Sequence, residues 1–268
     1  MPKRTKPIGQ PTRGKTTLNR LRQVDIFICL AWRHVLSSSS PLIVDVGYGE
    51  YAWTALEMHQ RLLTINPHIR LLGIEIDPLR VMNALPHANP PHIDFRLGGF
   101  NLVDVLDGEQ ATLIRAYNVL RQYDEADVPQ ALATMCAGLA EGGVLIEGTS
   151  TPTGRIVVFD VYQKWAGELI HQHIVFATNF QHEPIPTEFQ AILPKRLIHH
   201  AHDEPLWSFF RAWERGLARA RGMGQYRHRR KWAYATRYLG DMGYAVDTRK
   251  RVMNRGYLVL RDALINHS

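Results

Sequence analysis

Apolar residues follow two alternating rhythms along the first part of this chain. Short apolar runs at 42–46, 71–75, 93–97, 112–117 and 143–147 have the length and flanking turn residues of buried strands. Between them, 51–65, 78–85 and 126–140 repeat apolar positions every three or four residues, as a helix does when one face packs against a sheet. Gly142-Gly143 supplies the stop after the last of these helices. This alternation predicts an α/β fold: a doubly wound, mainly parallel sheet with helices on both faces. Beyond Gly148 the rhythm changes. Segments 155–163 and 168–178 alternate like two strands around Lys164-Trp-Ala-Gly167, an antiparallel hairpin at the sheet edge. Helices are predicted over 187–198, 206–221 and 230–242, and a last strand pair over 244–252 and 256–261. At the other end, 18–36 reads as an amphipathic helix and Ser37–Ser40 as its linker, while 1–17 has no periodicity and reads as an arm rich in Pro, Gly, Thr and cations. The expected organisation is a basic flexible arm over 1–24, an α/β domain over 25–180, and a helical extension over 181–268 with the terminal strand pair.

Charge refines this division. Residues 1–24 hold seven basic groups and no acid, 25–210 hold 11 basic and 21 acidic groups, and 211–255 hold 13 basic and 3 acidic groups. The formal net charge of +7 therefore covers an acidic middle between two basic ends. Such ends can meet a polyanionic partner or pack on the acidic body. No apolar run is long enough to span a bilayer, and the charged N-terminus lacks the apolar stretch of a signal peptide. Cys29 and Cys136 fall in apolar helical patterns and read as buried thiols. A cytoplasmic protein without membrane contact is expected.

The chemistry is concentrated in Asp45-Val-Gly47-Tyr48-Gly49, directly after the first strand. Two glycines there let the backbone turn tightly with no Cβ in the way of a ligand. The second strand then ends on Glu75-Ile76-Asp77, where a ribose would need a hydrogen-bond acceptor. A nicotinamide fingerprint would want a third glycine at position 52, where this chain has Ala52, a residue tolerated there in some dinucleotide sites.

Together with Asn118-Val-Leu after the fourth strand, these residues resemble the class I S-adenosylmethionine-dependent methyltransferases over roughly 40–150. The resemblance implies S-adenosylmethionine as cofactor, with Asp45, Gly47, Tyr48 and Gly49 wrapping its methionine part and Glu75 as ribose acceptor. Ile76 and Asp77 would follow, Asp77 being the second choice for the ribose. The Gly99-Phe100-Asn101 turn would edge the adenine, and Asn118 would lie near the sulfonium. Two positions depart from the family pattern: Tyr51 stands where a small residue is common, and Asn101 where an acid is common. The resemblance fixes neither acceptor nor base. RNA and a small molecule both remain open as acceptor, as does a non-catalytic cofactor-binding module. His171, His173, Glu147 and Tyr117 are candidate bases.

Three further motifs carry less. Gly9-Gln-Pro-Thr-Arg-Gly14-Lys15-Thr16 matches a phosphate-binding loop, but the proline- and cation-rich stretch before it cannot be the apolar strand that such a loop needs. Asn89-Pro-Pro-His92 precedes a strand and reads as a proline-stiffened connection. His171 and His173, two apart on a strand, would share one face, but no Cys or H-E-x-x-H accompanies them and no metal is expected. From Arg211 to Trp232, cations interleave with aromatics. This suits phosphate contact and base stacking, and equally an amphipathic helix pair with core tryptophans.

Overall fold

A computed structural model describes residues 6–12 and 16–261. Its frame is one eight-stranded sheet: β1 Leu42–Val46, β2 Arg70–Glu75, β3 Ile93–Leu97, β4 Ala111–Tyr117, β5 Leu139–Ser150, β6 Ile156–Trp165, β7 Glu168–Thr178 and β8 Tyr257–Leu260, in spatial order 3-2-1-4-5-6-7-8. Strands 3, 2, 1, 4 and 5 run parallel; β6, β7 and β8 continue antiparallel. The chain leaves β1 toward β2 on one side and later adds β4 on the other. Strand order thus reverses between β1 and β4, the place where open α/β sheets bind ligands beyond their carboxyl ends.

Helices cover both faces. On one, α1 (Arg22–Ala31) and α2 (Trp53–Leu62) bury Val24, Phe27, Ile28, Ala55 and Met58 against Ile43, Leu71, Leu113, Ile146 and Phe159. On the other, α4 (Val128–Ala137) covers Val44, Ile74, Ile114 and Leu145, while α3 (Pro78–Ala84) follows β2. The antiparallel half carries its own core on this second face. There α5 (Pro186–Gln190), α6 (Lys195–Ile198), α7 (Leu206–Gly222) and α8 (His228–Asp241) pack Phe189, Phe209, Trp213 and Trp232 on Val158, Phe176 and Leu258. The tryptophans of the cation-rich segment are therefore core residues; the arginines between them are exposed, while Lys231 is buried against Glu183.

Three expectations are corrected. The helix read over 187–198 is two short helices, broken before Pro194, whose ring cannot continue a helix. The strand pair over 244–252 and 256–261 is not a pair: 250–253 forms the short helix α9 (Lys250–Met253), and β8 joins the main sheet beside β7. Of the 244–252 stretch only Val246 makes a strand contact, an isolated bridge to Leu260. Finally, His171 and His173 do not share a face. A bulge sets Tyr162 opposite His171 but Val161 opposite His173, so Gln172 is an extra residue and the two rings turn to opposite sides of the sheet. His171 meets Asp160, and His173 stacks on Trp32. Among the described residues no group of three His, Cys, Asp or Glu could hold a metal ion, and no helix is long and apolar enough to cross a membrane.

Candidate functional site

The turn after β1 has the backbone that its glycines permit. Gly47 and Gly49 both lie at positive φ, 69° and 90°. Gly47 N–H is held by Ile74 O at 2.7 Å, which ties the turn to β2. Glu75, buried at the end of β2, accepts from Gly49 N–H at 3.0 Å and from Ile76 N–H at 2.9 Å. The glycine turn and the acid are thus one hydrogen-bonded unit. Tyr48 points away from it, its ring packed edge-on to Phe95 in the core and only its carbonyl facing the turn.

The remaining acids serve other groups. Asp45 follows Ile43 in strand alternation, so it faces α1 and α2. Both its oxygens bind Arg115 of β4, at 2.8 and 2.7 Å. Arg115 also donates to Asp25 of α1 at 2.6 Å and to Thr54 O at 3.0 Å. Burial alone would lower the Arg115 pKa, but Asp45 and Asp25 raise it above its ordinary value. Asp45 borders the cleft, yet its carboxylate works as a structural counter-ion there. Asp77 caps α3, accepting from Leu79 N–H at 2.9 Å.

Asn118 sits in the left-handed region at φ 60°, and its Oδ1 accepts from Ser150 N–H at 2.9 Å, which fixes the turn after β4 against the end of β5. Tyr117 is buried, its hydroxyl against Thr149 O and Val158 O, and burial pushes its pKa upward. Glu147 is buried on the opposite sheet face from Tyr117. Burial first, and the facing Asp160 second, push its carboxyl up to about 8, and its Oε1 has no hydrogen-bond partner. Asp160 itself is held down to about 2: burial would raise it, but Arg196 binds both oxygens and His171 a third lone pair.

One element of this site was not legible in the sequence. Residues 8–12, expected to be part of a flexible arm, lie across the carboxyl edge of the sheet. Phe100 N–H donates to Ile8 O at 2.8 Å, and Ile8 N–H donates to Asn101 Oδ1 at 2.9 Å. Gln10 N–H donates to the Tyr123 hydroxyl, and Gln122 Nε2 donates to Gln10 O and Pro11 O. Arg80 clamps Thr12 through its hydroxyl and carbonyl, at 2.8 Å each. A Cβ on Gly99 would stand 2.0 Å from Ile8 O, so that glycine is what lets the strap lie so close. Beside the strap two gaps remain. One of about 30 Å³ lies among Thr12, Thr16, Arg20, Gly47, Gly49 and Asn118. The other, about 20 Å³, lies among Gly9, Ile76, Gly99, Phe100 and Tyr123. A nucleoside ligand needs a cleft of several hundred Å³, roughly 300 or more. Gly47, Gly49, Glu75, Ile76, Gly99, Phe100 and Asn118 therefore border the carboxyl edge where the strap lies, while the Tyr48 ring and Asp77 serve the core and the α3 cap. Gly14 and Lys15 of the phosphate-loop match lie outside the described residues; Gly9 belongs to the strap, and Thr16 Oγ1 donates to Tyr48 O.

Fold and site together define a Rossmann-like α/β protein with a glycine turn and a buried acid at its switch point. Solved structures to which the chain is similar include several methyltransferases and a pericyclic reaction enzyme. The DszA carbon methyltransferase matches at 17% identity over 49% of this chain and 34% of its own, with a TM-score of 0.39. The N-methyltransferase NodS from Bradyrhizobium japonicum matches at 22% identity over 49% and 70%, TM-score 0.34. Human N-acetylserotonin methyltransferase, in complex with SAM, matches at 20% over 48% and 36%, TM-score 0.32. The chain thus spans about a third of the DszA and human chains. No family model and no curated protein matches the sequence.

Proposed function

We propose that this protein binds S-adenosylmethionine and transfers its methyl group to an acceptor. The observation that carries this reading is the unit of Gly47, Gly49 and Glu75: a left-handed glycine turn bonded to a buried acid at the switch point of the sheet. The missing Cβ at Gly99 and the donor–acceptor pair of Phe100 N–H and Asn101 Oδ1 suit an adenine edge, which presents an amino donor beside a ring-nitrogen acceptor. The groups fit the cofactor once the strap has moved aside. Glu75 would then hold the ribose and the Gly47–Gly49 turn the methionine part, and Asn118, fixed by Ser150, would border the transfer site.

The cofactor supplies an electrophilic methyl with a neutral thioether as leaving group, so the protein needs alignment and exclusion of water more than an acid. Neither Tyr117 nor Glu147 points a free, charged group at the cleft.

RNA is the acceptor class that the surface supports better than a small molecule. Helices α7 and α8 pack on β6–β8 and form no apolar lid over the cleft. They leave a concavity of about 410 Å³ lined by Arg229, Arg230, Arg237, Lys250 and Tyr234, cations with an aromatic among them. Calorimetric titration of the full chain with S-adenosylhomocysteine tests the cofactor, and transfer of labelled methyl to an RNA pool tests the acceptor. Saturable binding that Glu75→Ala weakens at least tenfold is expected; no binding to either form of the cofactor overturns the reading.

A further inference from the structure

We infer that residues Ile8–Thr12 are an intramolecular competitor for the adenosine half of the cleft, expelled when the cofactor binds; this rests on the cofactor reading above. Two groups at the end of β3 face the cleft: Phe100 N–H, a donor, and Asn101 Oδ1, an acceptor. Ile8 answers them with its carbonyl and its N–H, at 2.8 and 2.9 Å. One peptide residue thus presents the same donor–acceptor pair as an adenine edge, on the same two partners. Gly9 continues the strap past Ile76 and Phe100, and Thr12 comes against Gly47, its Cγ2 3.4 Å from where a Cβ there would stand. The strap therefore follows the path from the end of β3 to the glycine turn that an extended nucleoside would take. Both cannot be present, because the strap occupies that donor–acceptor pair and the gaps beside it among the described residues hold about 30 and 20 Å³.

The strap is also built to leave. Its contacts are hydrogen bonds to backbone and polar side chains, each of which water can replace. Its one large apolar side chain, Ile8, is 52% exposed, so no apolar anchor holds it down. Glu75 accepts from the amides of Gly49 and Ile76 through one lone pair on each oxygen, and Arg80 links the acid to the strap. Expulsion thus uncovers a preformed site without breaking the glycine turn.

Competition of this kind lowers apparent affinity by the fraction of molecules with the strap out. Ile8→Pro removes the N–H that Asn101 accepts, on a segment outside the core. In the full chain it should tighten S-adenosylhomocysteine binding by roughly three- to tenfold, the worth of one lost hydrogen bond. Hydrogen exchange on the unaltered chain gives an independent reading. Saturating ligand should speed exchange at the amides of Ile8 and Gln10 while Phe100 stays protected. Equal affinity in both chains, or ligand-bound protein with the Ile8 and Gln10 amides still protected, overturns the competitor and leaves the cofactor reading standing. Failure of both chains to bind overturns the two together.

Discussion

Arg115 reaches from β4 to Asp45 on the neighbouring β1 and grips both of its carboxylate oxygens, the pair being fully buried beneath the glycine turn. Asp25 and Arg61 extend the cluster to α1 and α2, so four charges tie two strands to the helices that cover them. Removing one partner strands a buried charge. Arg115→Leu should destabilise the protein by about 3–5 kcal/mol, read as a lower denaturation midpoint in urea. A loss below about 1 kcal/mol would mean that the cluster is not the clamp described here.

Glu147 gives stability a pH slope. Its folded carboxyl is raised from the ordinary 4.5 to about 8, so between those values the folded state holds a proton that the unfolded chain has released. Stability from this group is therefore complete below pH 4.5 and falls as pH rises toward 8, by at most about 1.4 kcal/mol per unit. Glu147→Gln should remove that fall. Its melting temperature relative to the unaltered protein should rise steadily from pH 5 to pH 8; a constant difference would place the charged carboxylate in the fold.

Gly47 cannot accept a side chain without strain. At φ 69° an added Cβ would stand 2.8 Å from Val119 Cγ2, in a conformation that costs an L residue about 1–2 kcal/mol. Gly47→Leu should abolish measurable S-adenosylhomocysteine binding in calorimetry while the far-ultraviolet spectrum stays that of the folded protein. Retained affinity would move the cofactor away from this turn.

The concavity on α8 makes a separate claim. Reversing two of its charges, Arg230→Glu with Lys250→Glu, should weaken RNA binding by at least tenfold and flatten its dependence on salt by about two counterions. Binding that ignores both the substitutions and the salt concentration would leave RNA without a surface here.

Much of the fold was legible because its signals are local. The runs at 42–46, 93–97 and 168–178 became strands with those bounds, since apolar alternation and flanking glycines report burial directly. The end of β2 on Glu75 was legible for the same reason: a strand that closes on an acid, a fixed distance after a glycine turn, needs no distant partner to be recognised. Asp45 was not, because what decides its role is Arg115, distant along the chain and brought alongside only by β1–β4 pairing. The opposed histidines were hidden by one unpaired residue, Gln172, which no local pattern marks. The strap was hidden for a different reason. It binds through backbone N–H and C=O groups, which every sequence possesses, so its proline- and glycine-rich composition carries no periodic trace of where it lies.

Strand β8 is the final described strand, yet it pairs with β7, and its Tyr257 hydroxyl reaches back to Gln23 O on α1 at 2.8 Å. During translation the outer edge of β7, rich in β-branched and aromatic residues, therefore waits bare on the ribosome while α5 to α9 are made. A reading-frame interruption between Thr178 and Tyr257 would leave that edge permanently open, and the product would be an aggregating chain instead of a smaller folded protein.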